Sequence, residues 1–311
     1  MKVFLSEINE SWIVDRIRED WYKENSDIST RNIKNAEMIW IISPWVWRKL
    51  PKGKLKKNKV ICTIHHIDFD KFPGKEEKEF IKRDKYVDLY HVISKKTKEQ
   101  LEKLTTKKII HIPWWVNQNI FFEIKNRSTL REKYGFNQEE YLIGSFQRDT
   151  EGDDLKSPKL IKGPDIFLEI VKDKYKKNKN LKVVITGKRR NYLIENFELN
   201  KIPYEYFEMV DLETLNELYN ILDIYLVTSR VEGGPQSIIE CAINKTPVLS
   251  TDVGIASEIL SKESIFDLNN YLQDIEVAKP NIDNAYKMAQ ELIIPKGMRK
   301  FREMIIDNYE N

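Results

Sequence analysis

The chain has 311 residues, 41% of them hydrophobic and 11% aromatic, which exceeds one typical domain and suffices for packed cores, so two domains of roughly 150 residues are expected. A charged content of 32% argues for a soluble protein and against a fibrous or membrane-spanning one. Two cysteines, Cys62 and Cys241, each inside an apolar run, exclude a disulfide scaffold and suit a reducing compartment.

From the first residue, Met1-Lys2 leads straight into VFLSE without a signal-peptide core, so a cytoplasmic chain is expected. The strand candidates of the first half are KVFLS (2–6), MIWII (38–42), KVICTIH (59–65), LYHVI (89–93) and KIIHIP (108–113). Amphipathic stretches at 11–24 and 95–104 read as helices, the second N-capped by Ser94. The longest apolar run, MIWIISPWVW (38–47), is broken by Pro44 and too short to span a bilayer.

Residues 1–122 carry 25 Lys and Arg against 17 Asp and Glu, a balance of +8, and the remainder carries 27 against 32, or −5. A basic half fits an anionic partner on one side, membrane lipid at the inner face or a phosphorylated acceptor; a solvated loop is the alternative for its densest patch, RKLPKGKLKKNK (48–59). Nucleic acid is not an expected partner.

The polar segment 117–140 reads as a connection. Beyond it, YLIGSFQ (141–147), KVVITG (182–187), YEYFEMV (204–210), DIYLVTS (223–229) and TPVLST (246–251) read as strands, with helices at 164–176, 211–221 and 235–244. Strands alternating with helices throughout predict two doubly wound parallel sheets. Such sheets bind ligands just beyond the carboxyl ends of their strands, which directs the search to Ser6, His65, Ser94, Pro113, Arg148, Gly187, Met209-Val210 and Ser229.

The richest of these places is RVEGGPQSIIECAINKTPVLSTDVG (230–254). Gly233 and Gly234 leave a turn without side chains, and Pro235 is a favoured first helical residue. The helix tip at Gln236 and Ser237 then offers unpaired N–H donors and partial positive charge to a phosphate or a sugar oxygen. Helical side chains lean toward the N-terminus, so Glu240 reaches back toward the crevice that Glu232 approaches from the turn. Both acids could grip one hydroxyl-rich ligand. Alternatively, SIIE (237–240) matches a capping box, and Glu232 would be a solvated turn residue.

This stretch closely resembles the signature of the retaining GT-B glycosyltransferases of the group 1, GT4-like family, with Glu232, Gly233, Pro235, Glu240, Ala242, Pro247, Val248, Thr251 and Gly254 in register. LIGSFQRD (142–149) followed by KGPDIFLEIV (162–171) resembles the family's Arg and Lys-Gly pair, placing Arg148 and Lys162 there. TIHHIDFD (63–70) resembles the loop whose His meets the donor sugar, a role given to His65 with His66 as rival. The segment 90–122 resembles the end of the family's N-terminal domain, with Trp114-Trp115 in place of the usual Asn-Gly. The family's Gly-rich first loop is absent; Asn9, Ser11 or the following helix tip would serve instead.

The resemblance implies a GT-B fold: an acceptor-side domain over 1–122, a nucleotide-sugar domain over 123–295 facing it across a cleft, and a tail, 296–311, packing back on the first. It implies a nucleotide-diphosphate sugar as donor, no cofactor, and a glycan or lipid-linked sugar as acceptor. Glu232 would lie beside the donor sugar and Glu240 would hold the ribose. Arg148 and Lys162 would neutralise the departing diphosphate, which makes a metal ion unnecessary. Asp68-Phe69-Asp70 matches a D-x-D metal string, but a lone match carries little weight, and no metal site is expected. Trp12, Trp21, Trp45, Trp47, Trp114 and Trp115 crowd the first domain, mostly as core, with one or two free to stack on a sugar. The rivals are an epimerase or phosphorylase on the same architecture, or a nucleotide-sugar-binding protein without turnover. A dehydrogenase is not expected, since no G-x-G-x-x-G follows a strand.

Overall fold

The computed structural model describes residues 1–8 and 13–310. They form two compact units, Met1–Asn117 with Glu291–Asn311, and Gln118–Gln290.

In the first unit β1 (Val3–Leu5), β2 (Met38–Ile41), β3 (Lys59–Ile64), β4 (Leu89–Val92) and β5 (Lys108–His111) lie parallel in that order. A parallel bridge from Val3 to Ser29 extends the sheet beyond β1. Winding therefore reverses at β1: the chain first goes out to Ser29, then returns to β2 on the other side. The central strands read as continuous apolar runs because both of their faces are covered, as every residue of β2 and β4 is buried. Ser94 caps the helix Lys95–Leu101, its hydroxyl accepting Thr97 N–H at 3.2 Å.

The core of this unit is aromatic. Trp114 and Trp115 are both buried here, and the helix Lys296–Glu310 brings Phe301 flat against Trp114, at 5.3 Å and 6°. Phe301 also meets Trp40, Trp115 and His91. His91 donates from Nε2 to Ile112 O at 2.8 Å, and its Nδ1 accepts from Thr63, whose oxygen in turn accepts Trp40 Nε1–H at 2.9 Å. Every polar atom of that chain is paired, which a buried network requires.

In the second unit β6 (Tyr141–Ser145), β9 (Leu181–Thr186), β10 (Tyr204–Phe207), β11 (Ile224–Val227), β12 (Val248–Thr251) and β13 (Ile265–Phe266) form one parallel sheet, ordered β10-β9-β6-β11-β12-β13. Between β6 and β9, β7 (Thr150–Glu151) and β8 (Ser157–Pro158) make a small antiparallel hairpin. The winding reverses between β6 and β11, so the loops leaving these two neighbours open the crevice of the sheet.

The segment read as a bare connection contains the helix Arg127–Lys133. Its buried Arg131 donates to the carbonyls of Ile221, Gln138 and Glu140 and to Asp223. Upstream, Phe122 and Ile124 N–H donate to Asn216 and Asn220. These bonds tie 118–140 to the second unit, whereas a bridge from Val116 to Ile293 ties 291–295 to the first. The limits of the units accordingly lie a few residues from the divisions read at 122 and 295.

Candidate functional site

Three segments meet at the carboxyl ends of β6 and β11. Phe146 to Asp149 follow β6, the turn Leu160–Lys162 with Gly163 opens the helix Pro164–Lys177, and Thr228 to Pro235 lead from β11 into the helix Gln236–Asn244. Lys162 and Glu232, seventy residues apart, are in direct contact, ammonium on carboxylate. Gln147 stitches the three together, its Nε2 donating to Lys162 O and its Oε1 accepting from Ser229, each at 3.1 Å. Ser229 also points toward Glu232, at 3.4 Å. Arg230 anchors the other side, clamping Asp165 with two bonds of 2.8 and 2.6 Å.

Two glycines make this approach sterically feasible. Gly163 has φ +64°, and a Cβ there would fall 1.8 Å from Thr228 O. Gly254 has φ +49°, and its Cβ would fall 2.0 Å from Gly233 O, so the strand end after β12 packs directly under the Glu232–Gly233 turn. Only glycine satisfies both the left-handed backbone and the contact.

Arg148 is exposed, with Nε donating to Thr150 O at 2.7 Å. Burial of its stem and the neighbouring Arg189 lower its pKa. Beneath it, Asp149 and Arg190 form an ion pair at 2.8 Å with side chains 2% and 0% exposed. Thr150 donates to the other Asp149 oxygen at 2.6 Å, and Arg190 Nη1 donates to Thr186 O at 3.1 Å. This buried pair pins the end of β6 to the loop after β9.

Pro235 is the N-cap of its helix rather than its first residue, with ψ 109° outside the helical range. Ser237 consequently sits within the first turn, so Ser237 and Glu240 do not form a capping box. Glu240 is buried and accepts Tyr219 Oη–H at 2.9 Å. Burial first, and then the Glu240 charge, raise the Tyr219 pKa well above the usual tyrosine value, which keeps it a donor. Gly233, Gly234 and Gln236 lie in the same turn and helix tip. Gly187 closes β9, its N–H donating to Phe207 O at 3.2 Å, and Met209, exposed, and Val210 follow β10. Glu232, Lys162, Arg148, Gly187, Met209, Val210 and the 233–240 segment thus share the carboxyl side of one sheet.

His65 and His66 belong to the first unit, at the end of β3. His65 is buried, its Nε2 2.9 Å from Ile42 O and 3.3 Å from Ser43 Oγ, with Trp45 tilted against its ring at 5.7 Å; His66 is exposed. Trp45 is 46% exposed, whereas Trp21, Trp40, Trp47, Trp114 and Trp115 are buried. Asp68 accepts Asp70 N–H at 3.2 Å, which makes the D-x-D string a local turn. Asn9, Ser11 and Trp12 lie outside the described residues.

Residues 126–295, more than half of the chain, match the family described as glycosyl transferases group 1. The chain belongs to that family. Among solved structures this group 1 glycosyltransferase is similar to Anabaena HepE in complex with UDP, with a TM-score of 0.74 at 12% identity over 98% of this chain and 99% of that one. It is also similar to sucrose-phosphate synthase from Thermosynechococcus elongatus, with a TM-score of 0.71 at 14% identity over 98% and 81% of the two chains. A glycosyltransferase from Rickettsia africae gives 0.67 at 19% identity over 96% and 82%. These likenesses establish the fold as GT-B. No curated protein matches the chain.

Several residues that build this candidate site escaped the sequence reading. Gln147, Thr228 and Tyr219 act through long-range bonds that no local motif announces. Thr228, whose hydroxyl donates to Gly163 O at 2.8 Å, precedes Ser229, and Gln147 precedes Arg148, so scanning the strand ends for every polar side chain was the signal available.

Proposed function

We propose that the protein is a retaining, metal-independent transferase that moves a sugar from a nucleotide-diphosphate donor to a glycan or lipid-linked sugar acceptor. The observation that carries this reading is the Lys162–Glu232 contact at the winding reversal of the second sheet, flanked by Arg148 and a glycine-lined helix tip. Arg148 offers a fixed fork of donors to phosphate oxygens, Lys162 a compact charge, and the turn at Gly233–Ser237 backbone N–H groups. Glu232, held by Lys162, is assigned to the donor sugar, and Glu240, oriented by Tyr219, to the ribose hydroxyls. His65, with His66 as alternative, is assigned to a sugar hydroxyl; Gly187 and Met209-Val210 are assigned to the nucleotide.

In the proposed reaction the bond from the anomeric carbon to the diphosphate oxygen breaks as the acceptor oxygen attacks from the same face. The acceptor proton passes to the departing phosphate oxygen. Positive charge fixed beside that oxygen stabilises the transition state more than the ground state, which is what accelerates a reaction. A cytoplasmic location, with the basic 48–59 stretch touching anionic lipid, belongs to the same proposal. No helix of the described residues is long and apolar enough to cross a membrane.

Titration calorimetry with UDP, GDP and ADP tests the donor half; the UDP bound to HepE makes UDP the first to try. Proton NMR of the product, made in EDTA, tests the rest: the expected result is a glycoside with the donor's anomeric configuration. A free epimer or a sugar phosphate would replace the transferase with the epimerase or phosphorylase reading. Donor binding without turnover on a broad acceptor panel would leave a binding protein.

A further inference from the structure

The hairpin β7–β8 separates Arg148 from Lys162 and returns the chain so that Lys159 N–H donates to Asp149 O at 2.7 Å. Lys159 therefore stands beside Arg148 and one turn before Lys162. It is half-buried, and burial first, then Arg148 and Lys162, lower its pKa. Among the described residues neither Lys159 nor Arg148 takes part in an ion pair. The acids that bear on Lys159 are Glu151 and Glu232; neither is within ion-pairing distance of it, and Glu232 is already in contact with Lys162. A partly desolvated cation between two others, without a carboxylate of its own, is unfavourable unless an anion completes the group.

On the reading that this site takes a nucleoside diphosphate, we propose that Lys159 is an additional phosphate-binding residue, delivered by the hairpin, which contacts the diphosphate together with Arg148. Lys162, engaged by Glu232, then serves the oxygen nearest the sugar, and Lys159 the uncommitted charge. The buried Asp149–Arg190 pair fixes the base of the hairpin, so the position of Lys159 is set before the ligand arrives.

The test titrates the full chain and its Lys159→Gln and Lys159→Arg variants with UDP, GDP and ADP and with the matching nucleosides. Lys159→Gln is expected to weaken the preferred diphosphate about 10-fold or more and leave the nucleoside unchanged, since a charge-assisted bond to phosphate is what it loses. Lys159→Arg is expected to restore most of the affinity, and the salt dependence of diphosphate binding is expected to flatten in Lys159→Gln alone. Equal diphosphate affinity in wild type and Lys159→Gln, while Arg148→Gln is weakened, would overturn the inference and leave the transferase reading standing. No diphosphate binding by the wild type would remove both. Reductive ¹³C-methylation of the lysines gives a readout free of folding effects: the Lys159 resonance, assigned by its loss in Lys159→Arg, is expected to shift on adding the diphosphate, and a static resonance at saturation would overturn the proposal.

Discussion

Glu240 illustrates how much one side chain's neighbours decide. A carboxylate in the interior is tolerated only when its lone pairs are occupied, and Tyr219, twenty-one positions away on another helix, supplies one donor. If ribose hydroxyls supply more, Glu240→Ala is expected to lower nucleoside diphosphate affinity on the order of 10- to 100-fold. Calorimetry on the variant checks this, and unchanged affinity would leave Glu240 a purely internal partner of Tyr219. His91 gives a second residue-scale expectation. Burial lowers its pKa from 6.5 to about 3, so the folded chain keeps it neutral. Between those values the unfolded chain takes up a proton that the folded chain does not, so stability falls as pH drops below 6.5, by about 1.4 kcal/mol per pH unit. Urea midpoints from pH 7 to pH 5 are expected to reveal a loss of about 2 kcal/mol from this group, and His91→Gln is expected to remove that slope. Glu232 and Glu240 were legible as candidates from the glycine turn and the helix that follows it, and Arg148 and Lys162 only through the family resemblance. Tyr219, Gln147 and Lys159 were not, because each acts across a fold contact rather than within a motif.

At the scale of elements, the site depends on how closely backbones can pass. The turn before Pro164 lies against Thr228 at the end of β11, and Gly163→Ala would place a methyl carbon inside the van der Waals radius of Thr228 O. The strained left-handed backbone and the clash together are expected to cost more than about 2 kcal/mol. Because relief requires the turn to move away from β11, the Lys162–Glu232 contact is expected to break, with diphosphate affinity falling alongside the denaturation midpoint. Ten strands were legible, the central ones such as β2 and β4 because burial on both faces leaves little polar alternation to disguise them, whereas the edge strands β5 and β10 are only partly buried. The strands that escaped are those made by tertiary pairing alone. The hairpin lies in TEGDDLKSP, which has no apolar run, and forms because Asp149 and Thr150 N–H both donate to Arg189 O while Asp149 holds Arg190. Ser29 and Ile265–Phe266 likewise pair with an existing sheet edge that their own sequence does not reveal.

For the whole molecule, the path of the chain matters as much as its two sheets. The first unit is discontinuous, begun by residues 1–117 and completed by 291–311, while the second is a single run between them. The two therefore have separate cores and are expected to respond separately to perturbation. Phe301 is fully buried among Trp40, Trp114, Trp115 and His91, so Phe301→Ala removes a large ring from the first core alone. Such a deletion costs roughly 3–5 kcal/mol. A nucleoside diphosphate, if held by Arg148, Lys159 and Lys162 as proposed, is expected to stabilise the second unit instead, by about 2.7 kcal/mol at one hundred times its dissociation constant. Scanning calorimetry of wild type and Phe301→Ala, each with and without the diphosphate, is expected to resolve two transitions. The variant should lower one and the ligand should raise the other. If both perturbations move a single shared transition, the two units unfold as one cooperative body and the helix Lys296–Glu310 stabilises the entire chain.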